Sequence, residues 1–296
     1  MPSSAGSRSP APSVLAIFGP TGSGKSAVAE AIAARIPAEL VSADSMQVYR
    51  GLPLLTNQDA GARLVGIWPL DRQGTVGEYQ RLAHAAIDEI VAADKTAVVV
   101  GGSGLWLQAA LTDVALPPDV PDAARARWER LYDRFGPNVA HGLLARRDPR
   151  AAAQVHPNDR KRIVRALELW QAGATLVPEQ PRLWTADLRL PTVVVGLEVD
   201  RDELSRRIAE RADAMFELGV EEEVRAAGTV APQVLGLDAV RDLPRDEAIA
   251  ELVRSTQRLA AYQRKWMRRI PGVVMIDANR PVGEVADAVL EVARPR

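Results

Sequence analysis

The stretch Gly19-Pro20-Thr21-Gly22-Ser23-Gly24-Lys25-Ser26 stands between an apolar run, VLAIF at 14–18, and an alanine-rich helical pattern at 27–36. A strand, a glycine-rich turn and a helix in that order make a phosphate-cradling loop. Successive backbone N–H groups and a helix N-terminus converge there on a di- or triphosphate, Lys25 adds its charge, and Ser26 offers a hydroxyl to Mg²⁺. Residues 19–26 are therefore the candidate diphosphate- or nucleotide-binding set, with Ser26 the candidate metal ligand and Mg²⁺ the expected cofactor. The loop leaves open which bond breaks.

Outward from this loop, short apolar runs recur at 38–42 (AELVS), 64–70 (LVGIWPL), 97–100 (AVVV), 193–197 (VVVGL) and 273–277 (VVMID). Their size is that of strands buried on both faces, and helical patterns separate several of them. One such pattern lies at 76–94, with Tyr79, Leu82, Ala83, Ala86, Ile87 and Ile90 at three- and four-residue steps. The alternation predicts an α/β fold, a P-loop NTPase-like parallel sheet flanked by helices. Between 116 and 190 the strand signal vanishes, and Pro117-Pro118, Pro121, Gly136-Pro137, Pro149 and Pro157 punctuate helical stretches. That region reads as an inserted all-helical lobe. The expected organisation is a tail at 1–13, a catalytic core from 14–115 with 191–296, and the lobe at 116–190. Further helices are expected near 200–218 and 244–270.

Composition narrows the chemistry. The chain has 296 residues, 37 Lys+Arg against 38 Asp+Glu, a formal net charge of −1 and no cysteine. Disulfides, thiolate zinc sites and cysteine nucleophiles are thereby excluded. Residues 1–13 lack the apolar centre of a signal peptide, and no apolar run reaches the ~18 to 20 residues of a membrane span. A soluble, cytoplasmic, monomeric protein without membrane contact or an obligate protein partner is expected. With no global charge, any polyanion must be met by local clusters. Arg254, Arg258, Arg264, Lys265, Arg268 and Arg269 form one, interleaved with Tyr262 and Trp266 and free of acids from 254 to 269. The opposite stripe of that helix (Ile249, Leu252, Val253, Thr256, Ala260, Gln263, Met267) is the packing face. Arg160, Lys161, Arg162 and Arg165 form a second basic patch. Two such patches fit a nucleic-acid backbone. His84, His141 and His156 are isolated and read as structural.

The segment Ser42-Ala43-Asp44-Ser45-Met46-Gln47-Val48-Tyr49 follows the second apolar run. In a parallel sheet the carboxyl ends of adjacent strands gather at one crevice, so Asp44 is expected near whatever Lys25 and Ser26 hold. Two roles fit Asp44: a Mg²⁺ ligand, direct or through water, or a general base beside an electrophile. Gln47 carries an amide able to bind adenine bidentately. The turn Gly101-Gly102-Ser103-Gly104 opens another helix on the same sheet edge and makes, with the first loop, a two-sided diphosphate clamp.

These residues resemble one family closely, the tRNA dimethylallyltransferases, also called tRNA isopentenyltransferases. The matching stretches are GPTGSGKS (19–26), VSADSMQVYRG (41–51), VVGGSGLWLQAAL (99–111), DPRAAAQVHPNDRKRIVRALEL (148–169) and RRIAERADAMFELGVEEEV (206–224). The resemblance implies transfer of a five-carbon allyl group from dimethylallyl diphosphate to the exocyclic amine of the adenosine 3′-adjacent to the anticodon in tRNA. It assigns Asp44 as the base and Arg211 as the cation facing the diphosphate, with Ser103 replacing the family's usual threonine. It also implies that Asp44, Ser45, Met46 and Gln47 meet the flipped base. Lys161, Arg162, Ile163, Val164 and Arg165, together with Gln263, are implied tRNA contacts, and the lobe is implied to hold the anticodon stem-loop. Thr56-Asn57-Gln58-Asp59 and Gly66-Ile67-Trp68-Pro69 depart from the family pattern. So do Leu235-Gly236-Leu237-Asp238-Ala239 and Ala261-Tyr262, so the changes gather where the family meets tRNA. The competing readings are a P-loop kinase of a nucleoside or small metabolite, a prenyltransferase acting on free adenine nucleotides, and a nucleotide-dependent switch that only binds RNA.

Overall fold

The computed structural model describes residues 12–113, 116–118, 120, 122–177, 187–228, 230 and 233–294. Most of the expected tail therefore lies outside the described residues, as does the stretch 178–186. In chain order the elements are β1 (Val14–Phe18), α1 (Lys25–Ala33), β2 (Ala38–Ser42), α2 (Val76–Ala92), β3 (Thr96–Gly101) and α3 (Gly104–Leu111). Then come α4 (Asp122–Arg147), α5 (Pro149–Ala152), α6 (Arg160–Gln171), β4 (Thr192–Glu198), α7 (Arg201–Glu217) and α8 (Val220–Ala226). The chain ends with α9 (Leu237–Asp242), α10 (Arg245–Met267), β5 (Val274–Asp277) and α11 (Val282–Val292). Contacts divide the chain into two compact units, Met1–Asp113 with Trp184–Arg296, and Val114–Leu183.

The larger unit is built on one parallel sheet in the order β2-β3-β1-β4-β5. β1 is its centre, paired with β3 from Val14↔Ala97 to Phe18↔Gly101 and with β4 from Val14↔Thr192 to Phe18↔Gly196. Strand side chains alternate between faces, so Val14, Ala16 and Phe18 enter one hydrophobic cluster while Leu15 and Ile17 enter the other. Burial on both faces explains why β1, β3 and β4 read as apolar runs; the edge strand β5, expected to be buried likewise, buries only Ile276. α1 and α11 cover one face with Val28, Ile32, Val285 and Val289. α2 and α3 cover the other with Tyr79, Ile87, Ile90 and Leu107. α2 starts on a capping box: Thr75 accepts from the Glu78 N–H, and the Glu78 carboxylate accepts from the Thr75 N–H. The stripe expected on α2 is buried at Tyr79, Ala83, Ala86, Ile87 and Ile90, but Leu82 is exposed. Among the described residues no helix is long and apolar enough to cross a membrane.

One expected strand is absent. Residues 64–70 form no strand; one isolated bridge, Tyr49↔Trp68, falls in this segment, and another, Val41↔Arg63, just before it. Its apolar composition matches a buried strand, but Leu64 (φ 66°) and Gly66 (φ 60°) take left-handed backbone that breaks extension. Trp68 is still buried, packed between Tyr49, tilted against it, and Trp106, edge-on to it. The run is a loop anchored by aromatic packing.

The described part of the smaller unit contains only helices around its own core of Trp128, Ala140, Leu144, Ile163, Leu167 and Val177. Gly136 leaves helical geometry (φ 80°, ψ 173°) just before Pro137 and kinks α4. Glu168, 1% exposed, lies between Arg125 (2.9 Å) and Arg165 (3.2 Å). Removing the partners of a buried carboxylate costs about 3 to 5 kcal/mol because the charge stays behind. The double variant Arg125→Met, Arg165→Met is therefore expected to destabilise the unit by about 3 kcal/mol, and adding Glu168→Met to recover most of that loss. Urea unfolding followed by tryptophan fluorescence checks it; a double variant as stable as the parent would contradict it.

Candidate active site

The carboxyl ends of β1, β3 and β2 deliver the phosphate loop, the 101–104 turn and the Asp44 loop to one sheet edge. The Gly19 N–H donates to Gly101 O (3.3 Å) and the Ala43 N–H to Val100 O (2.7 Å), stitching the three connections together. A side chain at position 101 would put its Cβ 2.2 Å from the Ala43 carbonyl oxygen. Glycine is what lets these backbones meet.

Within the loop, Ser23 is buried and its Oγ has no hydrogen-bond partner. An orphaned hydroxyl inside a phosphate cradle is a donor in want of an acceptor. The Lys25 ammonium reaches Pro20 O at 3.5 Å. Burial lowers its pKa to about 8; the Asp44 charge opposes that shift and the Arg211 charge reinforces it. Arg211, on α7, donates from Nη2 to Thr21 Oγ1 (2.6 Å). Burial lowers the pKa of its guanidinium too, again against Asp44. Two desolvated cations thus face one carboxylate, an arrangement that an arriving polyanion relieves.

Asp44 Oδ1 accepts from the Met46 N–H (2.9 Å), a local turn that fixes the carboxylate. Below it, the Tyr79 hydroxyl donates to Ser42 O (2.9 Å), and burial followed by the Asp44 charge pushes this phenol well above its ordinary pKa. It stays neutral, which leaves Asp44 and Asp59 as the carboxylates of the pocket. Ser103 is the N-cap residue of α3 but its side chain makes no capping bond.

Lys25, Ser26, Ser42, Asp44, Gln47 and Asp59 line one small cavity. For Mg²⁺ this donor set is suitable in kind: a hydroxyl and two carboxylates, all hard oxygens. Among the described residues no group of three or more His, Asp or Glu could hold a metal alone. Such an ion, when bound, would draw most of its ligands from phosphate oxygens and water, as Mg²⁺ usually does.

Several expected contacts lie elsewhere. The Gln47 amide is engaged at both ends, accepting from Ser42 Oγ (2.8 Å) and donating to Asn57 O (2.6 Å), so it braces the loop instead of presenting itself to adenine. Gln263 is 6% exposed and its Oε1 accepts from the Thr21 N–H (2.8 Å), facing the phosphate loop and not an RNA surface. Ile163 and Val164 are buried in the helical unit, because helical spacing turns them inward from the basic run. Arg165 is held by Glu168 and Pro118 O. Of that stretch Lys161 and Arg162 are the exposed side chains. Ser45 and Met46 are partly buried beside Asp44, Met46 against the core cluster.

The basic face of α10 is narrower than its sequence suggests. Glu251, just before the acid-free run, pairs with Arg254 (2.9 Å) and Arg258 (2.8 Å). Among the described residues Arg264, Lys265 and Arg268 form no ion pair. Exposed Tyr262 meets Trp266 edge-on at 5.7 Å, and Arg269 lies over the Trp266 ring. Sequence reasoning also missed Tyr79, Asp59 and Glu223. The Glu223 carboxylate accepts from the Leu54 N–H (2.8 Å) and the Leu55 N–H (3.0 Å), setting the turn whose Asn57 O holds Gln47. No local pattern signals a partner that distant in the chain.

Comparison with known proteins gives the same picture. The family model described as IPP transferase matches residues 47–270, and one described as Isopentenyl transferase matches 12–65. A tRNA dimethylallyltransferase of Streptomyces coelicolor is 40% identical, the match covering 89% of this chain and 90% of the relative. The full-length tRNA isopentenylpyrophosphate transferase of Bacillus halodurans superposes with a TM-score of 0.66 at 28% identity, over 95% of this chain and 96% of that one. A eukaryotic dimethylallyltransferase acting on tRNA shares the fold with a TM-score of 0.72 at 23% identity, over 90% of this chain and 73% of that one. With a family model spanning most of its length and relatives at this identity along nearly all of it, the chain belongs to the IPP transferase family of tRNA dimethylallyltransferases.

Proposed function

We propose that this chain transfers the dimethylallyl group of dimethylallyl diphosphate to the exocyclic amine of the adenosine 3′-adjacent to the anticodon in tRNA. The observation that carries this reading is that Lys25 and Asp44 line one cavity at the carboxyl edge of the sheet, while Arg211 is hydrogen-bonded to Thr21 of the same phosphate loop. In the step inferred, the adenine nitrogen attacks the allylic carbon bearing the diphosphate. The C–O bond breaks, its electron pair leaves with the diphosphate, and the nitrogen's proton passes to Asp44. An adenine amine is a weak nucleophile that becomes acidic as the new N–C bond forms, so a carboxylate is a competent acceptor. Negative charge grows on the leaving group, where Lys25, Arg211, the loop amides and the N-terminus of α1 stabilise it. Mg²⁺, when bound beside Ser26, would supply further charge neutralisation at the diphosphate. Ser103, at the start of α3, supplies a hydroxyl across the same site.

The target base must leave its stack to reach Asp44, at a cost of a few kcal/mol that RNA contacts have to offset. Lys265, Arg264 and Arg268 with the Tyr262–Trp266 pair supply cations and aromatic faces for this. We assign Lys161 and Arg162 of the helical unit as further contacts to the anticodon stem-loop. Alanine at Arg264, Lys265 and Arg268 is expected to weaken tRNA binding irrespective of sequence. It should also flatten the salt dependence of log Kd by roughly 1 for each phosphate left without its cation. Titrations at several salt concentrations measure this, and an unaltered slope returns the helix to a solvated surface.

Incubation with dimethylallyl diphosphate and Mg²⁺, plus either unmodified tRNA or AMP, followed by nucleoside mass spectrometry, tests the assignment. Prenylated adenosine in tRNA supports it. Prenylated AMP with untouched tRNA, or phosphate release from ATP with no prenylation, overturns it in favour of a nucleotide prenyltransferase or a kinase.

A further inference from the structure

Gln263 lies on the inward stripe of α10, the helix whose outer face carries Arg264, Lys265 and Arg268. Its Oε1 accepts from the Thr21 N–H at 2.8 Å, while Thr21 Oγ1 accepts from Arg211 Nη2 at 2.6 Å. Thr21 is thus held from two helices, through its backbone by α10 and through its side chain by α7. The other end of the Gln263 amide runs against the second glycine turn. A Cβ at Gly102 would sit 2.4 Å from Gln263 Nε2 and 3.0 Å from Gly19 O. The amide therefore fills the space between the phosphate loop and the 101–104 turn, where only a glycine at 102 leaves room for it. At 6% exposure it has no face for RNA.

We propose that Gln263 is a positioning residue for the diphosphate pocket, acting through Thr21, and not a tRNA contact. Its carbonyl takes the Thr21 N–H out of the set of loop amides facing the ligand and fixes the orientation of the Pro20-Thr21 peptide. That peptide in turn places the Thr21 hydroxyl where Arg211 uses it. Without the glutamine acceptor a partly buried N–H loses its partner, and the loop re-orients to satisfy it. The inference rests on the diphosphate reading of this pocket.

The test uses Gln263→Met, which keeps the volume but removes the acceptor, and Gln263→Glu, which keeps an acceptor for Thr21 but adds negative charge. Binding of inorganic pyrophosphate is measured with no RNA present, and binding of tRNA with no allyl diphosphate present. Gln263→Met is expected to weaken pyrophosphate binding, and to raise KM for dimethylallyl diphosphate, about tenfold, the scale of one missing buried hydrogen bond. Gln263→Glu should weaken pyrophosphate binding at least as much, through the charge added beside the cradle. The tRNA Kd and its salt slope should not move in either variant. A weakened tRNA Kd with unchanged pyrophosphate binding overturns the proposal and makes Gln263 an RNA contact. Unchanged pyrophosphate binding in both variants overturns it as well. A chain whose pyrophosphate binding depends on Gln263 but which prenylates no tRNA would sink the proposed activity and leave this role standing.

Discussion

Alanine in place of Asp44 is expected to lower the turnover of tRNA prenylation by roughly 10² to 10⁴, the range attributable to a positioned general base. The carboxylate is held by the Met46 N–H at 2.9 Å, so it acts from a fixed place. Tyr79 is a neutral donor committed to Ser42 O, and Lys25 and Arg211 are cations; the other carboxylate lining the cavity is Asp59, whose Oδ1 accepts from the Gly61 N–H at 2.9 Å. Affinity for tRNA should fall far less than turnover, which single-turnover kinetics beside a binding titration separates. The Asp44 charge also raises the Lys25 pKa against burial. Its removal therefore lets Lys25 lose its proton at lower pH. Asp44→Asn, which keeps an acceptor for the Met46 N–H, should be as slow as Asp44→Ala; turnover unchanged in both variants would remove Asp44 from the chemistry.

Lys25→Met is the second large effect, with kcat/KM for dimethylallyl diphosphate expected to drop by about 10² to 10³, the loss seen when one pre-placed donor to a developing anion is removed. The wild-type pH profile carries the same signature. With a pKa of about 8 in the free pocket, Lys25 is charged below that value and neutral above it. Hence kcat/KM for the allyl diphosphate should fall as pH rises through about 8. Bound diphosphate favours the charged lysine, so kcat at saturation should fall only at higher pH. Lys25→Met should lack the alkaline limb in kcat/KM. A limb that persists in the variant assigns the ionisation to another group.

Much of this site was readable in the linear chain because its parts are local. The phosphate loop is contiguous, the strand before it is an unbroken apolar run, and Asp44 follows the next strand directly. Parallel topology then brings those ends together without further information. What was illegible depends on partners far apart in sequence. Gln263 meets Thr21, and Glu223 meets Leu54 and Leu55, with no periodicity or motif to announce either pairing. The loop at 64–70 misled because composition sets burial, whereas two left-handed residues decide that the burial is not in a sheet. Ile163 and Val164 fell inside a segment read for its charge, but helical geometry separates the charged face from the one that packs. Arg254 and Arg258 were counted in an acid-free run whose balancing acid, Glu251, stands just outside it.

The most direct measurement is a crystal structure of the chain with an anticodon stem-loop and an unreactive thio-analogue of dimethylallyl diphosphate. The diphosphate is expected in the cradle of residues 19–26 against Lys25 and Arg211. The exocyclic amine of the flipped adenosine should lie between the Asp44 carboxylate, within hydrogen-bond reach, and the allylic carbon. An adenosine seated with its amine out of reach of Asp44, or a diphosphate bound outside the cradle, would contradict the account.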